Sequence, residues 1–288
     1  MLINLLKTMR PKQWTKNVFV FTALVFAEKL FELRLLARTV IAFILFCLIS
    51  SCVYLINDLA DMEKDRRHPI KSKRPLPSGQ LKPSVAIAAS VLIPFVTLPL
   101  SFLLNPYFGF IALAYLLTMI IYSFVLKNLV ILDVLTVAAG FVLRAVAGAV
   151  VISVPISPWL YVCTTLVALF IGISRRRHEM ILLAEKANEH RASLNEYSLS
   201  LLDQMIAVVT SATVIAYSLY TFSAPNLPPN HAMMLTIPFV LYGLFRYLYL
   251  IHVEGKGGTP EEIFLGDLPL IIDLGLWGLA VIAILYFL

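Results

Sequence analysis

The chain has 288 residues, 60% of them hydrophobic and 14% charged, with a mean hydropathy of +0.87 and a formal net charge of +6. No water-soluble domain of ordinary composition has this balance, so the chain reads as an all-α polytopic membrane protein whose partner along its length is the lipid bilayer. The positive charge does not point to nucleic acid, because Lys and Arg concentrate in the loops between apolar runs.

In chain order, Met1 to Met9 is a short amphipathic stretch, and no small-residue cleavage site follows Lys16, so no cleavable signal peptide is expected. Nine membrane spans are predicted, at about 17–28, 36–57, 85–104, 107–126, 131–152, 157–174, 206–223, 232–252 and 268–288. Turn chemistry divides the longest apolar runs, through Asn105-Pro106, Pro155 to Pro158, and Ala224 to Asn230. Cys47, Cys52 and Cys163 fall inside spans and read as small packing residues. No internal repeat and no separable soluble domain is found, so residues 1–288 read as a single intramembrane domain. Placing Lys7, Arg10, Lys12 and Lys16 in the cytoplasm puts loops 58–84, 127–130, 175–205 and 253–267 on that side, with nearly every remaining Lys and Arg. The other side keeps a mixed-charge loop (Glu28, Lys29, Glu32, Arg34, Arg38) and Pro-rich turns. The expected location is the cell (inner or plasma) membrane, with the polar chemistry facing the cytoplasm.

The densest chemistry lies where the uncharged run Val40 to Ile56 ends, in Asn57-Asp58-Leu59-Ala60-Asp61-Met62-Glu63-Lys64-Asp65. Asp58, Asp61 and Asp65 are spaced i, i+3, i+7 and share one face if the helix continues, with Asn57 one turn before Asp61. Hard oxygen ligands of this kind suit Mg²⁺, which in turn suits a diphosphate. Taken alone the acids could equally pair with Lys64, Arg66 and Arg67. Arg66-Arg67-His68 and then Lys71-Ser72-Lys73-Arg74-Pro75-Leu76-Pro77-Ser78-Gly79 follow at once, and acids for a metal beside bases for phosphate is what a Mg²⁺–diphosphate site needs.

Three further features stand out. The sixth span ends in Gly172-Ile173-Ser174-Arg175-Arg176-Arg177-His178-Glu179-Met180, where three arginines are either a stop-transfer cluster or phosphate forks. Arg144 sits inside the fifth span, in Gly140 to Ala149, and either balances an acid on another helix or holds substrate phosphate; Asp133 is three turns away, too far for a direct pair. The stretch Arg10-Pro11-Lys12-Gln13-Trp14-Thr15-Lys16-Asn17 sets Trp14 among bases at the first interface. Glu185 to Glu196 reads as a surface helix that covers the site, and Asp267, Asp273, Arg246 and His252 as a mutually pairing group.

Asn-Asp-x-x-Asp-x-x-x-Asp at the end of the second span, followed by Arg-Pro-Leu-Pro-Ser-Gly, resembles the UbiA superfamily of intramembrane prenyltransferases, and the likeness covers essentially the whole chain. It implies a UbiA-like bundle of nine transmembrane helices with active-site loops after the second and sixth, here 58–84 and 175–205. Ordinary members carry a second Asp-rich motif after the sixth span, where this chain has Arg175, Arg176 and Arg177. With the Arg10–Asn17 and Gly140–Ala149 stretches, this resembles the branch of decaprenyl-phosphate phosphoribosyltransferases, which join phosphoribosyl pyrophosphate to a polyprenyl phosphate. The resemblance then implies Mg²⁺ on Asp58, Asp61, Asp65 and Asn57, and donor phosphates near Lys71, Lys73 and Arg74. It places the lipid phosphate near Arg144, Arg175, Arg176 and Arg177, adds Lys16, Tyr122 and Lys127 to the substrate-binding set, and extends to self-association. The alternative is a UbiA-type prenyltransferase that moves a polyprenyl group from its diphosphate to an aromatic or other acceptor. A transporter would instead place charge at midmembrane, where only Arg144 and Asp273 lie.

Overall fold

The computed structural model describes residues 1–67, 71–184, 192–225, 227–255, 263 and 266–288, and every regular element among them is helical. The α-helices are α1 (Leu2–Met9), α2 (Thr22–Phe26), α3 (Leu33–Ala60), α4 (Met62–Arg67), α5 (Pro83–Leu104), α6 (Pro106–Phe124), α7 (Leu132–Val151), α8 (Pro158–Ala184), α9 (Leu199–Ser223), α10 (Ile237–His252) and α11 (Leu268–Phe287). Eight segments among the described residues are long and apolar enough to cross a membrane. The first predicted span, 17–28, is not one of them. It is a 3₁₀ run, Pro11–Phe21, that passes into the five-residue α2. The 3₁₀ rise of about 2.0 Å per residue stretches these sixteen residues over roughly 30 Å, close to the thickness of a hydrocarbon core.

Boundaries follow local chemistry. Asn105 caps α6, its Oδ1 accepting from the amides of Tyr107 and Phe108 while Pro106 supplies the first helical residue. Ser198 and Asp267 cap α9 and α11 in the same way. α8 runs ten residues past the predicted span end, because Arg175 and Glu179 form an i,i+4 pair on its continuing face. The surface helix expected over 185–196 lies largely outside the described residues; Ala192–Glu196 is a 3₁₀ turn. Pro94, inside α5, leaves the Ser90 carbonyl without its helical donor, and the Cys52 thiol of α3 donates to that oxygen at 3.2 Å.

Two packing centres meet on α7. One gathers Phe46, Ile49, Phe108, Tyr115, Ala147 and Ala149 from α3, α6 and α7; the other gathers Val134, Phe170, Leu202, Tyr247, Leu250 and Leu270 from α7 to α11. α3 and α7 have 61% of their apolar windows buried against 11% for α5, so α3 and α7 are central and α5 faces lipid. Gly148 permits the tightest crossing, since a Cβ there would lie 2.0 Å from the Val20 carbonyl oxygen of the 3₁₀ run.

Candidate active site

The Asp motif forms where α3 passes into α4. The turn at Asp61 keeps the hydrogen-bond ladder running, with the Asp61 amide donating to the Asn57 carbonyl (2.9 Å) and the Asp65 amide to the Asp61 carbonyl (2.8 Å). Asp58 and Asp65 are therefore held on the protein side, 1% and 3% exposed. Asp58 accepts from Arg10 and from Arg74 Nη1 (3.2 Å), and the same Arg74 nitrogen donates to Asp65 at 2.7 Å. Lys71 stands 3.8 Å from Asp65. Burial, and then the nearby Arg10 charge, pull Arg74 below the ordinary guanidinium range against the lift from the two carboxylates. Arg10 itself adopts a left-handed backbone (φ 54, ψ 65), which costs a residue with a Cβ about 1–2 kcal/mol and aims the guanidinium at Asp58 and over the Tyr54 ring.

Asp61 turns the other way. Its carboxylate receives two hydrogen bonds from Lys127, at 2.7 and 2.9 Å, in the link between α6 and α7. The Lys127 carbonyl accepts from Ser193, in the link between α8 and α9. The predicted loops after the second and sixth long apolar runs thus meet at one end of the bundle, with the α6–α7 link between them.

Beside this junction lies a second ionic cluster. Buried Arg176 donates to Asp133 (2.6 Å), to Tyr122 Oη (3.0 Å) and to Glu179. Asp133 also accepts from Tyr197 Oη at 2.8 Å, and Tyr197 in turn accepts from the Ile131 amide at 2.7 Å. Burial and the Asp133 hydrogen bond push the Tyr197 phenol well above its ordinary range, so it stays protonated and keeps donating. Arg175 pairs with Glu179 at 3.1 Å. Arg177 departs from the expected trio: about 100° further round α8, it points to Asp203 of α9 and to the Ile251 carbonyl.

Arg144 is 5% exposed, and of its two alternatives the structure does not supply an acid on another helix among the described residues. It donates to Asn17 Oδ1 (2.7 Å), the Gly140 carbonyl (2.8 Å) and Tyr115 Oη (2.7 Å), and lies over the Tyr115 and Phe141 rings. All these partners are neutral. Asn17 extends the link to Cys47 and Ser50, so Cys47, Ser50, Ser51, Tyr54 and Asp58 form a polar stripe on one face of α3. Lys16 is half-buried beside Asn17, Asn57 is half-buried, and Lys73 lies exposed on the rim of its loop. The expected distal group divides: Arg246 binds Asp267 (2.7 Å), while Asp273 lines a groove between α10 and α11 instead.

The arrangement has a place for a divalent cation. One Arg74 nitrogen already bridges Asp58 and Asp65, so a positive centre shared by these two carboxylates fits the site. Mg²⁺ is commonly held by one or two carboxylates, with water and phosphate completing its shell. Among the described residues no three acidic, His or Cys side chains converge, because Asp61 is committed to Lys127. Arg10, Asn17, Tyr115, Asp133, Glu179 and Tyr197 were not singled out as site residues in the sequence. Arg10 and Asn17 bound one stretch that stood out, Glu179 closes the arginine run and Asp133 was weighed against Arg144, while Tyr115 and Tyr197 carried no signal.

The comparisons with known proteins agree with this architecture. Residues 17–257 match the model of the UbiA prenyltransferase family. The chain is 30% identical to decaprenyl-phosphate phosphoribosyltransferase of Mycolicibacterium smegmatis, over 99% of this chain and 93% of that one. It is 31% identical to the protein of that name from Corynebacterium glutamicum, over 98% and 87%. Among solved structures, a UbiA homolog from Archaeoglobus fulgidus bound to GPP and Mg²⁺ superposes with a TM-score of 0.74 at 17% identity, over 98% of this chain and 99% of that one. The chain belongs to the UbiA prenyltransferase family and is a multi-pass membrane transferase.

Proposed function

We propose that the protein transfers 5-phosphoribose from phosphoribosyl pyrophosphate to a polyprenyl phosphate of the decaprenyl type, releases pyrophosphate and requires Mg²⁺. The carrying observation is Arg176. It is buried about two turns before the end of α8, just past the predicted sixth span, where a prenyl-diphosphate transferase of this family would place a second set of metal-binding aspartates. The relatives from Mycolicibacterium smegmatis and Corynebacterium glutamicum, similar over nearly the whole chain, support the same reading. So does the charge of the junction, where Asp58, Asp61, Asp65, Asp133 and Glu179 face a larger number of cations: Arg10, Lys71, Arg74, Lys127, Arg175 and Arg176. A positive excess suits two phosphorylated substrates that repel each other.

In this reading Asp58 and Asp65, with Asn57 beside them, would hold Mg²⁺, and Asp61 would join them by exchanging its Lys127 partner; the metal would supply positive charge against the departing pyrophosphate. Arg10, Lys71 and Arg74 give up carboxylate contacts for donor phosphate oxygens, and exposed Lys73 reaches them from the rim of its loop. Lys127, Tyr122, Arg175 and Arg176 orient the acceptor phosphate, with Lys16 at the edge of the site and Arg144 acting from beneath. The bond from the ribose anomeric carbon to the pyrophosphate oxygen breaks, and one from that carbon to a lipid phosphate oxygen forms on the opposite face, inverting the centre. The acceptor oxygen is already anionic near neutral pH, so no general base is needed. Residues 1–288 act as one intramembrane domain, and the site faces the cytoplasm of the cell membrane, where a soluble sugar phosphate is available.

The test is a membrane assay with radiolabelled phosphoribosyl pyrophosphate, a polyprenyl phosphate and Mg²⁺, with and without EDTA, following label into the organic phase. Metal-dependent lipid labelling is expected. Absence of labelling, with transfer from a polyprenyl diphosphate to an aromatic acceptor instead, would overturn the reading in favour of prenyl transfer.

A further inference from the structure

The junction is fastened at its edge by α1. The inward face of this helix, through Leu5, Thr8 and Met9, packs against Leu55, Leu76, Leu81 and Ala86, and Asn4 donates to the Gln80 carbonyl at 3.0 Å. Its outward face carries Leu2, Ile3 and Leu6, 69%, 69% and 43% exposed, together with exposed Lys7. Three adjacent aliphatic side chains on an eight-residue helix are costly in water. The helix neighbours the end of α3, through Leu59, the start of α4, through Met62, and the start of α5, through Val85, which is where these segments leave the membrane. α5 is the most lipid-facing of the spans, so α1 sits on the perimeter of the bundle rather than over its centre.

We propose that α1 is an interfacial anchor: Leu2, Ile3 and Leu6 insert into the leaflet on the motif's side, Lys7 and Lys12 reach the anionic headgroups, and the anchored helix holds Arg10 against the Asp motif. The partner is the bilayer surface itself. The charge pattern fits it, since an aliphatic face flanked by lysines is what a helix lying in an anionic interface presents. The connection to the junction is short and stiff. Arg10 is the residue that closes α1, Pro11 follows it at once, and its left-handed backbone directs the guanidinium to Asp58. A helix free to leave the interface would carry Arg10 away from that carboxylate. Arg10 is thereby a positioning target of the lipid surface, which makes donor binding sensitive to the charge of the surrounding lipid.

The experiment uses the full chain in nanodiscs of neutral or anionic lipid. An environment-sensitive fluorophore is attached at Ile3→Cys in a Cys163→Ser background, with Glu63→Cys, at an exposed side chain, as the aqueous control. The label at position 3 is expected to shift to shorter wavelength and to be quenched by brominated lipid, more so in anionic discs, with position 63 unaffected. A label at position 3 that behaves like the control overturns the anchor. Shielding without lipid quenching overturns it as well, since it assigns the face to another protein. The kinetic arm rests on the phosphoribosyl-transfer reading. Leu2→Ser, Ile3→Ser and Leu6→Ser together are expected to raise KM for the sugar-phosphate donor about tenfold with kcat within about twofold. Inserted label with unchanged kinetics overturns the coupling to Arg10. Failure of the parent protein to use that donor would overturn the proposed reaction and leave the quenching result to decide the anchor.

Discussion

Arg144 offers the sharpest separation of structure from chemistry. Replacing it with Met removes an embedded cation whose insertion cost is about 2.5–3.5 kcal/mol on translocon scales. The same change orphans Asn17 Oδ1 and the Tyr115 hydroxyl as acceptors, at about 1–3 kcal/mol each, while the Gly140 carbonyl keeps its helical partner. These contributions oppose each other and nearly balance, so Arg144→Met is expected to unfold within a few degrees of the parent protein in detergent. A cation that served packing alone would therefore be dispensable.

Its electrostatic role has a different magnitude. Asn17 ties Arg144 to Ser50, and Asp58 lies eight residues further along α3, an axial offset of about 12 Å. One charge at that distance, at an effective dielectric of about 20, is worth about 1.4 kcal/mol per unit of substrate charge, or tenfold. For a substrate phosphate of roughly −1.5 to −2 charges bound beside Asp58 this becomes about 30- to 100-fold in kcat/KM. The assay is lipid labelling at varied phosphoribosyl pyrophosphate, paired with thermal unfolding of the same preparation. Arg144→Lys should keep most of the activity, because the charge is retained while the hydrogen-bond fork is lost. Arg144→Met that stays folded and works within threefold of the parent would refute the electrostatic assignment.

Other expectations follow from the same contacts. Asp61→Asn should lower turnover by at least about 100-fold, because it removes a candidate metal carboxylate and leaves Lys127 without its charge partner; unchanged labelling in both Asp61→Asn and Arg176→Ala would sink the division of roles. Removing Mg²⁺ with EDTA should abolish labelling without lowering the unfolding temperature, since Arg10 and Arg74 already neutralise Asp58 and Asp65; a fall of many degrees in the apo protein would show a metal required for folding. Gly148→Ala should cost about 1–3 kcal/mol or more, because its Cβ would meet the Val20 carbonyl, whereas Gly275→Ala meets nothing within 4 Å and should be neutral; equal folded yields would refute the close crossing.

What the sequence makes legible depends on how far apart the interacting residues lie along the chain. The apolar runs, the Asn105-Pro106 division and the Asp58, Asp61, Asp65 spacing are local, and a helical period with cap chemistry reads them directly. The same period fails at residues 17–28, where a 3₁₀ run replaces an α-helix, because the small triad Ala147-Gly148-Ala149 admits the backbone of the 3₁₀ run closely and tertiary packing sets the pitch. Periodicity also says which face a side chain occupies without saying which element it meets. Asp61 shares a helical register with Asp58 and Asp65, yet Lys127, sixty-six residues away, draws its carboxylate to the opposite side of the junction. Asp133 shows the reverse. In sequence it is a single acid at a helix start, judged only against Arg144 on its own helix. In the fold it is where Arg176, Tyr197 and Ser193 converge from α8 and the link that follows. An ion network of this kind depends on several crossings at once. Burying any one member without the others would leave a charge unpaired, so its existence is a property of the assembled bundle and of no single segment.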